Sequence, residues 1–320
     1  MKLYIELMGG LGNQIFQYSF GIQVKKKYKI KSAHYCVSWI PPESLKNSLP
    51  TLLAKRIDSK DCIFNNYSRI FRRKLAIIDR IASKFPRNIQ GSLYYILAFF
   101  TRVYVFREED FGTRSCEEHL NALSCKLNYL PLLDNVIIRG YWQSYENISH
   151  FREPFLRENK FLSFNRSHAK HKKMIIAAHL RRGDYLSTLA HAKEYASLTS
   201  IPQYINFCLN MLEGHIEFSS AKILIITDDK RWAEYAFLYL SNKWEVCIQS
   251  SSSAIDDWQS LNSADLVICS NSTFSYTAAA LRPRPIGWEV LPNTILPLWF
   301  NTTSTIISKG WDTLPHSFIV

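Results

Sequence analysis

Three short segments of this chain carry residue types at spacings that could hold an anionic nucleotide. In the first, His179-Leu180-Arg181-Arg182-Gly183-Asp184, two adjacent guanidiniums follow an apolar run that reads as a buried strand. Two cations there are costly unless an anion meets them. Asp184 could serve one; the other still requires an anion, and a diphosphate matches its planar fork. An interdomain salt bridge is the competing explanation. The adhesion tripeptide Arg182-Gly183-Asp184 is a chance match.

The second segment is a pair of loops. The carboxylates of Thr227-Asp228-Asp229 follow an apolar run and could accept from a guanine or ribose, or could simply cap the helix before Trp232. Ser270-Asn271-Ser272-Thr273-Phe274-Ser275 precedes an Ala-rich helix, so its hydroxyls and amides could hold phosphate oxygens, or again only cap. The third is Gly9-Gly10-Leu11-Gly12-Asn13-Gln14, whose glycines allow backbone amides to approach a phosphate. A dinucleotide fold would want a third glycine where Ile15 stands and an acid about 20 residues on. Residues 7–42 hold no Asp or Glu, which disfavours a nicotinamide dehydrogenase, and no Gly-x-x-x-x-Gly-Lys-Ser/Thr loop occurs.

The elements that must position these groups alternate regularly from residue 172. Apolar runs at 174–178, 223–226, 245–248, 266–269 and 285–288 read as strands, and the stretches 202–214, 232–240, 255–261 and 273–281 as helices. Short apolar strands alternating with helices describe a parallel sheet covered on both faces, with ligands outside the strands' carboxyl ends. All three segments fall at such ends. The first half opens with a strand at 2–7, a glycine turn and a helix over about 13–28, and then reads as irregular.

Composition bounds the rest. With 320 residues, 47% hydrophobic and 21% charged, the chain is globular and long enough for two cores. The net charge of +12 is uneven: residues 1–170 carry 27 basic and 14 acidic side chains, residues 171–320 carry 12 and 13. Residues 55–87 alone hold ten basic and three acidic groups, directly before the aromatic-aliphatic run 93–106. That is either a solvated basic helix beside a buried one or a surface that docks on anionic lipid. The run's most lipid-like stretch, Leu93 to Phe100, is followed by Arg102 and is too short to span a bilayer, which needs about 20 apolar residues. Seven cysteines without metal or Cys-x-x-Cys spacing suit a reducing compartment.

Together the segments resemble glycosyltransferase family 11, the α-1,2-fucosyltransferases. Residues 9–18 are similar to the family's N-terminal signature, His179 to Asp184 matches its His-x-Arg-Arg-x-Asp motif, and Ser270 to Ser275 resembles its last motif. The resemblance implies an α/β protein of the GT-B class, two Rossmann-like domains facing across a cleft, with GDP-β-L-fucose as donor. It divides the chain into a basic acceptor-side domain (1–170), a GDP-sugar-binding domain (171–290) and a C-terminal segment (291–320). Arg181 would contact the departing diphosphate, supported by Arg182 and followed by Asp184, while His179 orients the donor. Asp228 or Asp229 would read the guanine, and Ser272, Thr273, Phe274 and Ser275 would line the phosphates. Gly10, Gly12, Asn13 and Gln14 would close over the donor from the other domain.

Breaking a sugar–diphosphate bond builds negative charge on the leaving group, which preorganised guanidiniums stabilise. The chain has no Asp-x-Asp, and Glu108-Glu109-Asp110 sits in no metal context, so arginine in place of a metal is the reading, with no cofactor. The expected partners are GDP-fucose, a galactose-terminated or lipid-linked glycan, and a membrane surface met through residues 55–106. No nucleic-acid motif occurs. The expected location is the cytoplasm, at the inner face of a bacterial membrane. The rivals are a fucosyltransferase of another linkage, a basic nucleic-acid-binding module and a membrane-surface scaffold.

Overall fold

Strand β1 (Lys2–Glu6) buries residues on both faces, which only a sheet covered on both sides allows. It lies at the centre of five parallel strands in the order β3-β2-β1-β5-β4, with β2 Ala33–Cys36, β3 Cys62–Asn65, β4 Val103–Arg107 and β5 Asn135–Arg139. Leu3 aligns with Ala33 on one side and Val136 on the other. A second parallel sheet has the order β11-β10-β9-β6-β7-β8, formed by β6 Ile175–Leu180, β7 Lys222–Thr227, β8 Glu245–Gln249, β9 Leu266–Ile268, β10 Thr294–Leu296 and β11 Asp312–Thr313. The computed structural model describes residues 2–31, 33–37, 40, 42–54, 62–65, 69–108, 116–128, 133–143, 145–158, 173–182, 202–212, 221–250, 253–270, 272–282, 294–296 and 312–313.

The chain divides into two compact units, Met1–Phe151 and Arg152–Val320. Each is an α/β unit built on its own parallel sheet, as the alternating pattern requires. In the first, helices α1 (Leu11–Lys27), α2 (Leu49–Ala54), α3 (Arg69–Ala82), α4 (Arg87–Thr101) and α5 (Cys116–Asn128) connect the strands. Helix α6 (Tyr145–Glu158) spans the division. The second unit carries α7 (Pro202–Leu212), α8 (Lys230–Ala236), α9 (Ala254–Ser263) and α10 (Thr273–Ala280). Its core joins Ile176, Ala178 and Leu180 of β6 to Ile205 and Leu209 of α7 and to Phe237 and Trp244.

Two sequence expectations need correction. The first half is regular throughout its described residues, not irregular after α1. Its β4 is hidden in the apolar run because only Arg102, in left-handed conformation (φ 59°), separates it from α4. No glycine or proline marks that boundary. In the second half, the helix expected over 232–240 is α8 followed by a 3₁₀ turn at Leu238–Asn242. The strand expected at 285–288 lies outside the described residues.

Each sheet has one place where strand order reverses. In the first it is the carboxyl end of β1, between β2 and β5; in the second, that of β6, between β7 and β9. Crevices at such points are where open α/β sheets hold ligands.

Candidate active site at two strand ends

The reversal point of the second sheet is built around His179, the penultimate residue of β6, which is 7% exposed. Its Nδ1 lies 2.7 Å from Ser270 Oγ beyond β9, and its ring packs 5.2 Å from that of Phe274 in α10. Burial, and then the neighbouring Arg181 charge, push the imidazole pKa down to about 3. His179 is therefore neutral near pH 7 and offers hydrogen bonding without charge.

The two arginines diverge. Arg182 turns toward β7: its backbone N–H donates to Asp228 Oδ1 at 2.9 Å, and its Nε lies 3.6 Å from Asp229 Oδ2. Its guanidinium sits 3.5 Å above the Trp232 ring, a close cation–π stack. Asp229 also accepts from the Trp232 N–H at 3.2 Å, capping α8. The capping alternative is thus realised for Asp229, and the ion pair of Arg182 lies within one unit and is not the interdomain bridge that competed with a ligand role. Asp228 is exposed. Arg181, half-buried, stands next to His179, and its charge is what that ring feels. Gly183 and Asp184 lie outside the described residues.

The hydroxyl loop is partly committed to its own backbone. Ser272 caps α10 by accepting from the Phe274 N–H at 3.3 Å, and buried Ser275 donates to the Ser272 carbonyl at 3.2 Å. Thr273 and Phe274 remain half-buried at the helix start. Burial pushes the Cys269 thiol up to about 12, so it acts as core, not nucleophile.

At the first sheet's reversal point the glycine turn has the geometry its sequence suggests. Gly9 has φ +71°, and a Cβ there would sit 2.7 Å from Asn13 Nδ2. Gly10 is exposed and begins α1 without a side-chain cap. Gly12 is buried. Gln14, expected at the donor, is turned inward: Nε2 donates to the Gly9 carbonyl at 2.7 Å, and Oε1 accepts from the Leu49 N–H at 2.8 Å. It holds the turn. Asn13 accepts from Gln143 Nε2 at 2.9 Å, which ties the turn to the loop after β5.

That loop was missed from sequence. Glu108, just past β4, accepts the Tyr141 N–H at 2.6 Å and those of Trp142 and Gln143 besides. Gly140 has φ +153°, where a Cβ would collide with Glu108, and Trp142 is left-handed (φ 54°). Trp142 is held there by stacking between Phe20 and Phe106, at centroid distances of 4.2 and 5.6 Å. Burial outweighs the three amides and keeps the Glu108 carboxyl above its usual range. A bulky residue held left-handed is strain of the kind that concentrates at functional sites. The strand-then-glycine pattern at residues 135–140, like that at 2–10, was the available signal.

The profile of Glycosyl transferase family 11 matches residues 105–312. The O-antigen biosynthesis glycosyltransferase WbnK of Escherichia coli is 24% identical over 327 residues, covering 98% of this chain and all of that protein. Among solved structures, POFUT1 in complex with GDP is 14% identical with a TM-score of 0.45, covering 88% of this chain and 95% of its own. The Escherichia coli heptosyltransferase WaaC with ADP is 10% identical with a TM-score of 0.40, covering 93% and 87%.

Proposed function

The chain belongs to glycosyl transferase family 11, and on that premise we propose that it is an inverting, metal-independent α-1,2-fucosyltransferase. It moves L-fucose from GDP-β-L-fucose to O2 of a terminal galactose. The observation that carries this reading is the carboxyl end of β6, where Arg181 stands beside a buried, neutral His179 backed by Ser270 and Phe274. A departing diphosphate gains negative charge as the glycosidic bond breaks, and a fixed guanidinium aimed at it lowers the barrier by about 3–4 kcal/mol. Neutral His179 adds a hydrogen bond at the same place without a second cation to repel Arg181. The start of α10 contributes its backbone dipole.

Arg182 acts as a positioning residue, fixing Asp228 and Asp229 at the guanine side. Asp184, which lies outside the described residues, is kept as a catalytic candidate on the strength of the sequence motif alone. Asn13 with the glycine turn is assigned to the donor's fucose and diphosphate, and the loop pinned by Glu108 to the galactose. The name of WbnK, an O-antigen biosynthesis glycosyltransferase, supports an O-antigen-like glycan as acceptor. Among the described residues no helix is long and apolar enough to cross a membrane.

The test is turnover by the purified protein. GDP should be released from GDP-fucose in the presence of a galactoside, at the same rate with EDTA, and the product should show an α-1,2 linkage by NMR. No release with any galactoside defeats the donor assignment. Another linkage keeps the donor and replaces the specificity.

A further inference from the structure

Helices α3 and α4 form a hairpin whose outer face the transferase chemistry does not use. Inward, α3 packs Leu75, Ile78 and Ala82 and α4 packs Tyr94 and Ala98 against the first sheet. Outward, α4 presents Ile89, Ile96, Phe99 and Phe100, whose spacing puts them on one stripe; Phe99 is 57% and Phe100 82% exposed. On α3 the outer face carries Ile77 between Arg73 and Arg80, with Lys84 one turn on. Among the described residues, seven of the eleven exposed large hydrophobics fall between Ile77 and Phe100. Scattered apolar residues need no explanation, but a concentration of this kind marks an interaction surface.

The charge around that stripe is one-sided. Residues 69–102 hold eight Lys or Arg and a single acid, Asp79. Asp79 is turned inward, accepting from Arg139 Nη1 at 2.9 Å and from the Tyr94 hydroxyl at 2.7 Å. Arg107, stacked 4.7 Å over the Tyr94 ring, donates to Gln90 at 2.9 Å. The hairpin is therefore fixed to the sheet by its polar inner face, and its exposed residues are apolar, cationic or neutral polar, with no acid among them.

We infer that this outer face docks on an anionic lipid bilayer, with Phe99 and Phe100 entering the acyl boundary and Arg73, Arg80 and Lys84 meeting the headgroups. Aromatic insertion flanked by cations is the chemistry of interfacial binding. A second copy of the chain is the disfavoured occupant, because a symmetric contact would set this cationic face against itself. The inference narrows the expectation for residues 55–106: residues 103–106 are a buried strand, and residues 55–61 and 66–68 lie outside the described ones. It does not depend on the donor or the linkage, since binding is read without turnover.

The experiment is co-sedimentation of the full chain with vesicles of phosphatidylcholine alone, or with about a third phosphatidylglycerol. Binding should require the anionic lipid and weaken with salt. Phe99→Ser with Phe100→Ser should reduce it about tenfold or more, and Arg73→Glu with Arg80→Glu by a similar factor. Both doubly substituted proteins should keep the parent melting temperature and the parent turnover on a soluble galactoside. Binding indifferent to lipid charge overturns the inference. So does no binding, or a lipid-free dimer that the Phe99/Phe100 change dissolves.

Discussion

At the end of β6 the groups that could face a ligand are side chains; at the end of β1 they are largely backbone. On the proposed function His179, Arg181 and Phe274 would act through their own chemistry, so their positions are written in the sequence as a motif. The Gly140–Gln143 loop depends on where three amides point, and that is decided by a carboxylate, a left-handed Trp142 and two aromatic rings from distant elements. The same sheet topology thus carries one candidate site made of side chains, which substitution should erase, and another made of backbone, which substitution should only loosen.

The sharpest test of that contrast compares the adjacent arginines. Arg181→Ala should cut kcat by about 10²–10³-fold with the fold intact, as loss of a leaving-group donor does. Arg182→Ala should instead lower stability by about 1–2 kcal/mol, from the lost Trp232 stack and Asp229 pair, with a smaller loss of rate. Equal rate losses at unchanged melting temperature would merge their roles.

Glu108→Gln probes the other strand end. An amide cannot hold three N–H groups as a carboxylate does, so transfer should fall about ten- to a hundredfold through misplacement. The thermal shift caused by GDP should persist. Unchanged transfer would remove the loop from the site.

A pH series separates the two ends again. The His179 pKa is about 3 in the fold against 6.5 ordinarily, so between those values the unfolded chain binds the extra proton. Stability from this group is complete above pH 6.5 and is lost as pH falls through the window, at about 1.4 kcal/mol per unit. By pH 5 the loss should be about 2 kcal/mol, and His179→Asn should remove this component of the denaturation profile. An unchanged acid slope in that variant would contradict the burial. The glycine turn contains the smallest expected effect. Gly9→Ala should cost about 1–2 kcal/mol for its left-handed backbone and its contact with Asn13, whereas Gly10→Ala should be nearly neutral in a melt.

Much of the second unit was legible in its sequence. Strands β6 to β9 are short apolar runs, each followed by polar residues that mark its end, and the His179 and Ser270 segments fall where the structure brings them together. The first unit was less so, for physical reasons. Arg102 ends α4 in a conformation that sequence reserves for glycine, so helix and strand fused into one apolar run. Glu108 sits in an acidic triplet that looks solvated, and only folding buries its carboxyl against amides more than thirty positions away. Gln14 sits inside a glycine turn expected from sequence to meet the donor, yet its amide is used to brace the turn.

The buried ion pair at the centre of the first sheet has a consequence for synthesis. Glu6 has no exposure, and the guanidinium that neutralises it, Arg139 at 2.6 Å, is encoded 133 positions later. A buried carboxylate without its cation is strongly unfavourable. At a ribosomal rate of about 5–20 residues per second, the amino terminus must therefore wait roughly seven to twenty-seven seconds before it can settle between its neighbours. Throughout that interval the nascent chain keeps its first strand hydrated and open to chaperones.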